Sequence, residues 1–228
     1  MPNLNDDFSA RAAVHSGAEP WVASPMPGVE RKMLDRIGDE VARATSIVRY
    51  APGSKFSTHN HDGGEEFLVL EGTFQDEHGD YPAGTYVRNP PTTTHSPGSD
   101  EGCTILVKLW QFDPADRQEV VLDINQASLT LARSRPDSYS VRLHSDKFER
   151  VEIEAWTRDA ELEIPCPGGA EMFVLEGSFT EGEEQFGPYD WLRIPCGQTI
   201  HACAGPDGAR VWIKSGHLRH VRTTGPGA

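Results

Sequence analysis

The sequence predicts an all-β protein made of two small antiparallel barrels in tandem, and three observations predict it. A nine-residue stretch, Glu66-Phe-Leu-Val-Leu-Glu-Gly-Thr-Phe74, returns 105 positions later as Glu171-Met-Phe-Val-Leu-Glu-Gly-Ser-Phe179. Short β-branched and aromatic runs dominate each copy, with little sign of helical periodicity. The 22 Gly and 17 Pro supply turn formers for many short strands.

The repeat extends beyond that stretch. Each copy is preceded by a glycine pair, Gly63-Gly64 and Gly168-Gly169. Val87-Arg-Asn-Pro90 recurs as Leu192-Arg-Ile-Pro195 at the same offset, and Ile105-Leu-Val-Lys108 as Val211-Trp-Ile-Lys214 at 106. Several spaced matches in one order indicate a duplicated domain, and the period is too long for a solenoid unit of about 20–50 residues. A chain of 228 residues has room for two such domains.

In the first copy, strands are expected at Ala44–Tyr50, Glu66–Leu70, Thr85–Arg88 and Thr104–Phe112. Turns fall at Pro52-Gly53, Asp62-Gly-Gly64, His78-Gly-Asp80 and Pro82-Ala-Gly84. The expected division is a leader over 1–20, a first domain over 21–114, a linker over 115–139, a second domain over 140–219 and a tail over 220–228. The leader reads as mobile apart from a short strand near Ala12 to His15. The linker holds a strand at Glu119–Ile124, expected to pair with one of the sheets because an isolated edge is an aggregation liability.

Composition excludes several function classes. The formal net charge is −14, shared by both halves, and such a surface repels phosphate backbones and anionic headgroups. Neither nucleic acid nor a membrane is an expected partner; a small-molecule ligand is, with a homodimer left open. No apolar run approaches the roughly 18 residues of a membrane span, and the start lacks the order of a secretion signal, so the expected location is the cytoplasm. The four cysteines, Cys103, Cys166, Cys196 and Cys203, form no C-x-x-C pair and no disulfide framework.

One constellation carries chemistry. Gly53, His59, His61, Glu65 and Gly72 follow one another at spacings of six, two, four and seven. Residues i and i+2 of a strand share a face, so His59 and His61 can present two imidazoles to one point. The Asp62-Gly-Gly64 bend then lets Glu65 return a carboxylate to it. A second run, Gly84, Pro90 and His95, offers a third imidazole from a neighbouring strand. Three neutral nitrogens and one carboxylate suit a divalent transition metal such as Zn, Fe(II), Mn, Ni or Co. Glu66 faces the other side of its strand and has a twin in Glu171; a structural role such as a salt bridge is expected for it.

These residues resemble the cupin superfamily, whose first motif is G-x(5)-H-x-H-x(3,4)-E-x(6)-G and whose second is G-x(5)-P-x-G-x(2)-H-x(3)-N. Residues 53–72 match the first at every fixed position. Residues 84–99 match the second at Gly84, Pro90 and His95, with Thr92 in place of its glycine and Ser99 in place of its asparagine. Ala51-Pro-Gly53, Gly64-Glu-Glu-Phe-Leu-Val-Leu-Glu-Gly72 and Asp80-Tyr-Pro-Ala-Gly-Thr-Tyr-Val-Arg-Asn-Pro90 are similar to the ChrR-type cupins. The resemblance implies a bicupin of two double-stranded β-helix, or jelly-roll, barrels, the first holding one metal on His59, His61, Glu65 and His95. The ChrR-type group includes the C-terminal domain of the ChrR anti-sigma factor, and some related cupins cleave diketones or hydroxyaryl ketones with a metal and oxygen.

The second copy reads as a degenerate cupin. Aligned on the glycine pairs, Cys166 stands opposite His61, Ala170 opposite Glu65 and the region of Ile164 opposite His59. Ile200 takes the place of His95, with His201 one residue beyond. Cys166, Cys196, Cys203 and His201 could make a thiolate-rich site, but buried thiols acting as small hydrophobes are the expected outcome.

Three functions compete. The first is a metal-dependent, dioxygenase-like enzyme acting on a small carbonyl or aryl ketone compound, with its catalytic residues undetermined. The second is a metal- and ligand-binding stress sensor related to ChrR, and the third a structural zinc protein. A sigma factor is not an expected partner of this chain alone, because the helical zinc module with H-x-x-x-C-x-x-C that accompanies ChrR-type anti-sigma factors does not occur in it.

Overall fold

The computed structural model describes residues 3–39, 41–131 and 135–221. In chain order its strands begin with β1 (Ala12–Val14), β2 (Val22–Ala23), β3 (Val29–Ile37), β4 (Arg43–Tyr50), β5 (Ser54–Lys55), β6 (His59–Asn60) and β7 (Glu65–Asp76). Next come β8 (Gly79–Pro82), β9 (Thr85–Asn89), β10 (Thr94–His95), β11 (Gly98–Ser99), β12 (Cys103–Leu109) and β13 (Val120–Asp123). The second series is β14 (Thr130–Leu131), β15 (Ser138–Ser145), β16 (Arg150–Trp156) and β17 (Glu161–Cys166). It closes with β18 (Ala170–Glu181), β19 (Glu184–Phe186), β20 (Trp191–Ile194), β21 (Gln198–Ser215) and a short 3-10 turn at His217–His220. The tail expected at 220–228 lies outside the described residues from 222 onward. Among the described residues, no helix is long and apolar enough to cross a membrane.

The chain forms two compact units. In the first, the sheet runs β13-β9-β7-β12-β4-β3-β2, with β8 on β7, β11 on β5 and β7, and a separate β6–β10 pair. In the second, the order β1-β20-β18-β21-β16-β15-β14 repeats the first strand for strand, with β17 on β21 and β19 on β18. The duplication read from sequence is therefore a duplication of topology.

The segments ahead of each repeat go to the opposite sheet. The linker strand β13 pairs with β9 of the first unit, Val121 facing Val87. Residues 7–19, read from sequence as a mostly mobile leader, belong to the second unit: Ala12–Val14 pairs with β20, Ala13 facing Leu192. Side chains fasten this segment down. His15 bridges Asp190 and Glu184 at 3.0 and 2.9 Å, and Arg11 reaches Glu181 and Glu184 at 2.8 and 2.6 Å.

The glycine pair is required by close approach. A Cβ on Gly63 would lie 2.3 Å from the Trp110 ring, and one on Gly64, whose φ is +77°, 2.4 Å from the Phe112 ring. Only glycine fits such a space at such a dihedral. The bend carries the chain from His61 into β7, and Trp110 N–H and Phe112 N–H donate to the carbonyls of Gly64 and Gly63.

Glu66 and Glu171 hold equivalent buried places on the outer face. Glu66 lies in register between Arg88 of β9 and Lys108 of β12, and Glu171 between Arg193 of β20 and Lys214 of β21. All six side chains are at most 2% exposed. Glu171 also accepts from Trp191 Nε1 at 3.2 Å and meets His217 Nε2 at 2.9 Å. Charges so removed from water persist only when paired and hydrogen-bonded.

Candidate metal centre

The two barrels diverge at the four positions the first motif singles out. In the second unit, the counterparts of His59, His61, Glu65 and His95 are Ile164, Cys166, Ala170 and Ile200, all at most 6% exposed within one apolar core. The rim of that barrel is regular: β17 pairs with an unbroken 18-residue β21. In the first unit the same path is split into β5, β6, β10 and β11. Pro97, which has no N–H to give a ladder, sits in the gap between β10 and β11.

On this interrupted rim, His59 and His95 are direct register partners. His61 lies one residue past β6, its N–H donating to the Thr93 carbonyl at 2.9 Å. The three imidazoles converge as the i, i+2 reading expects. Their ring centroids are 5.0, 5.0 and 4.5 Å apart, and a ligating nitrogen from each lies within 4.8 Å of the others. Glu65, at the start of β7, brings Oε2 to 3.6 Å from His61 Nε2 and 3.5 Å from His95 Nε2.

These spacings suit ligands around an ion. At metal–ligand distances near 2.1 Å, donor atoms stand about 3.0 Å apart in octahedral and about 3.4 Å apart in tetrahedral geometry. The hydrogen bonds select the donor nitrogens. His95 Nδ1 lies 3.2 Å from Asp76 Oδ2 and His59 Nδ1 3.4 Å from the Ser57 carbonyl, which leaves Nε2 of each ring as the donor atom. His61 Nε2 is buried with no hydrogen-bond partner. An orphaned buried nitrogen beside a buried carboxylate fits a bound cation.

Burial governs the electrostatics. It pushes the His61 imidazolium down to about 4, helped by the neighbouring His59, and it lowers His95 against the pull of Glu65. It also raises Glu65, opposed by His95 and by the amide of Asn89. The His61 and His95 imidazoles are thereby held neutral, the form in which they donate a lone pair.

Two supporting residues escaped the sequence reading. Asn89 is the β9 register partner of Glu65 and donates Nδ2–H to its Oε2 at 3.2 Å. Its parity with Val87 was the available signal. Asp76, at the far end of β7, orients His95 while its Oδ1 accepts from the N–H of His78 and the Tyr81 hydroxyl; burial and Asp76 push that phenol up to about 12. Asp76 stands eleven positions after Glu65, and no local pattern marks it.

A cavity of about 530 Å³ opens onto His59, His61 and Glu65, walled largely by Val48, Phe56, Val107, Leu109 and Trp110. The thiolate-rich alternative in the second unit does not assemble. Cys166 is buried, its thiol donating to the Ile164 carbonyl at 3.3 Å, whereas Cys196, His201 and Cys203 are exposed and Ile200 and Ala202 point inward.

The comparisons agree with this architecture. The ChrR cupin-like domain family matches residues 9–113. A candidate dioxygenase from Nostoc punctiforme PCC 73102 superposes with a TM-score of 0.71 at 14% identity, covering 100% of this chain and 87% of its own. The pirin YhhW of Escherichia coli in complex with nickel(II) gives 0.64 at 16% identity, covering 90% of this chain and 98% of its own. A cupin 2 conserved barrel domain protein from Leptotrichia buccalis gives 0.57 at 11%, covering 85% and 91%. No curated protein matches the sequence. The chain has a cupin fold, and its residues 9–113 match the ChrR cupin-like domain family.

Proposed function

We propose that the first barrel holds one divalent transition metal on His59, His61, Glu65 and His95, and that it acts as a dioxygenase-like enzyme on a small carbonyl or aryl ketone compound. The observation that carries this reading is the cavity reaching three of the four ligands, at positions that the second barrel closes with apolar side chains. A metal that only braced a barrel would need no such opening. The nickel(II) held by the E. coli pirin and the description of the Nostoc protein point the same way.

The bound ion would supply Lewis-acid and redox chemistry at this point. The residues of the chain do the rest. The three Nε2 atoms bind, with Asp76 and the Ser57 carbonyl fixing two of the rings. Glu65 lowers the net charge at the centre, and Asn89 holds one of its oxygens. The apolar walls exclude water from a substrate beside the ligands and strengthen every charge interaction there.

Elemental analysis of protein purified without added metal, followed by oxygen uptake on a panel of diketones and aryl ketones, tests the proposal. One equivalent of metal, lost in His59→Ala/His61→Ala, together with turnover of a panel member, is expected. Metal without turnover, but with tight binding of a ketone, would favour the sensor reading that the ChrR cupin-like match suggests. A closed four-coordinate zinc that binds nothing would favour the structural one.

A further inference from the structure

Strand β4 presents Ala44, Ser46, Val48 and Tyr50 to the cavity at alternate positions. The two arginines of the neighbouring β3 that line it, Arg31 and Arg36, are engaged within the chain. The hydroxyls of Ser46 and Tyr50 are not: neither makes a hydrogen bond to a described residue. The Tyr50 ring is held by edge contacts with Phe56 and Phe74, at centroid separations of 5.5 and 5.8 Å, and Phe74 lies 5.7 Å from the His95 ring. Two ring contacts therefore separate the phenol from a residue of the candidate metal centre. Burial pushes the Tyr50 phenol up, and the charge of Glu65 adds to the effect, so the hydroxyl keeps its proton.

The second barrel shows how the same fold satisfies a donor at this place. Ile105 and Val211 are equivalent in the repeat, so the register of β4 on β12 and of β16 on β21 makes Glu154 the counterpart of Val48 and Trp156 the counterpart of Tyr50. Trp156, like Tyr50, carries one side-chain donor. It gives that donor, Nε1–H, to Glu154 Oε2 at 2.8 Å, two residues back on the same strand. The first barrel keeps a donor at the equivalent position, replaces the acceptor with Val48, and opens a cavity beside it. A polar hydrogen taken out of water costs free energy unless an acceptor meets it. The acceptor missing from β4 is one that a ligand in the cavity supplies.

We infer that Tyr50 is the cavity's hydrogen-bond donor to a carbonyl oxygen of its ligand, selecting carbonyl compounds over hydrocarbons of the same shape and holding them against the apolar walls beside the metal centre. The inference rests on the proposed function for the class of ligand and on Tyr50 and its missing acceptor for the contact, so the two can fail separately.

The test compares acetophenone with α-methylstyrene, in which a methylene replaces the carbonyl oxygen, by titration calorimetry on the full chain, zinc-loaded and chelator-stripped, with metal content measured in each sample. Tyr50→Phe removes the donor and keeps the ring contacts. It should weaken acetophenone by about 5-fold or more in both forms, the cost of leaving a buried acceptor without its donor, and leave α-methylstyrene and metal content unchanged. Ser46→Ala, which removes the other hydroxyl of the same strand face, should change neither affinity. A second readout needs no variant to fold: in the unsubstituted, chelator-stripped chain, the carbonyl infrared band of bound, isotope-labelled acetophenone should lie near its hydrogen-bonded position in water. A band near its position in hexane would overturn the inference. So would unchanged acetophenone affinity in Tyr50→Phe, equal weakening of both probes, a loss that follows Ser46→Ala instead, or no binding of either probe at millimolar concentration. Acetophenone binding that vanishes with the metal yet ignores Tyr50→Phe would overturn it too, since the carbonyl would then be a metal ligand. A Tyr50-dependent preference in protein that never holds metal would sink the metal centre and leave the donor standing.

Discussion

Asp76 Oδ2 lies 3.2 Å from His95 Nδ1 across the barrel, and this contact turns the opposite nitrogen of the ring toward Glu65, 3.5 Å away. A carboxylate behind a ligating imidazole fixes its tautomer and raises its basicity. Asp76→Asn keeps the shape and removes the charge. Metal affinity, measured by competition with a chelator, should fall about 10- to 100-fold while the far-ultraviolet circular dichroism stays unchanged.

Thr92 occupies the glycine position of the second motif, and it does so with a φ of +84°. Its counterpart in the second barrel is Gly197, at +82°. A β-branched residue is strained in this region by about 1–3 kcal/mol, part of which glycine returns through its greater freedom when unfolded. Thr92→Gly should therefore raise the stability of the first unit by about 1 kcal/mol, read as a shift in its denaturation midpoint. Unchanged stability would show that neighbouring contacts of Thr92 offset the strain.

His15 ties residues 7–19 to the second unit through Asp190 and Glu184, and these partners, Asp190 foremost, raise its imidazolium above the usual range. The group is more basic folded than unfolded. Its contribution is complete below the unfolded value near 6.5 and is lost as pH rises through the elevated folded value. The ring is 43% exposed, so solvent screening keeps the effect small. The urea midpoint of the second unit should decline from pH 6 to pH 9 by more in the native chain than in His15→Gln.

Glu171 has the least exposed carboxylate of the two buried rows, set between Arg193 and Lys214. Glu171→Ala leaves buried cations facing a void, and its cost should be about 3–5 kcal/mol. Glu171→Gln, which still accepts from Trp191, should cost less. Chemical denaturation of both variants gives the comparison directly.

The architecture and the candidate metal-binding pattern were legible because both are local. A 105-residue repeat, short β-branched and aromatic runs and turn glycines define two β units, and the His-x-His spacing sets two imidazoles on one face of a strand. The same offset exposed the loss of every candidate ligand from the second copy.

Tertiary structure decided what depends on a partner distant in sequence. A short strand near Ala12 to His15 is legible in the sequence but its neighbour is not, and it took the fold to pair Ala12–Val14 with Trp191–Arg193. Asp76 became part of the centre only when β7 was long enough to bring its far end beneath His95. Arg31 and Arg36 sit among charged residues of both signs along β3, and a β-bulge between Met33 and Asp35 shifts the register. That one-residue shift places both arginines, five positions apart, on the inner face. A regular strand would have pointed them to opposite sides, because side chains alternate with a period of two.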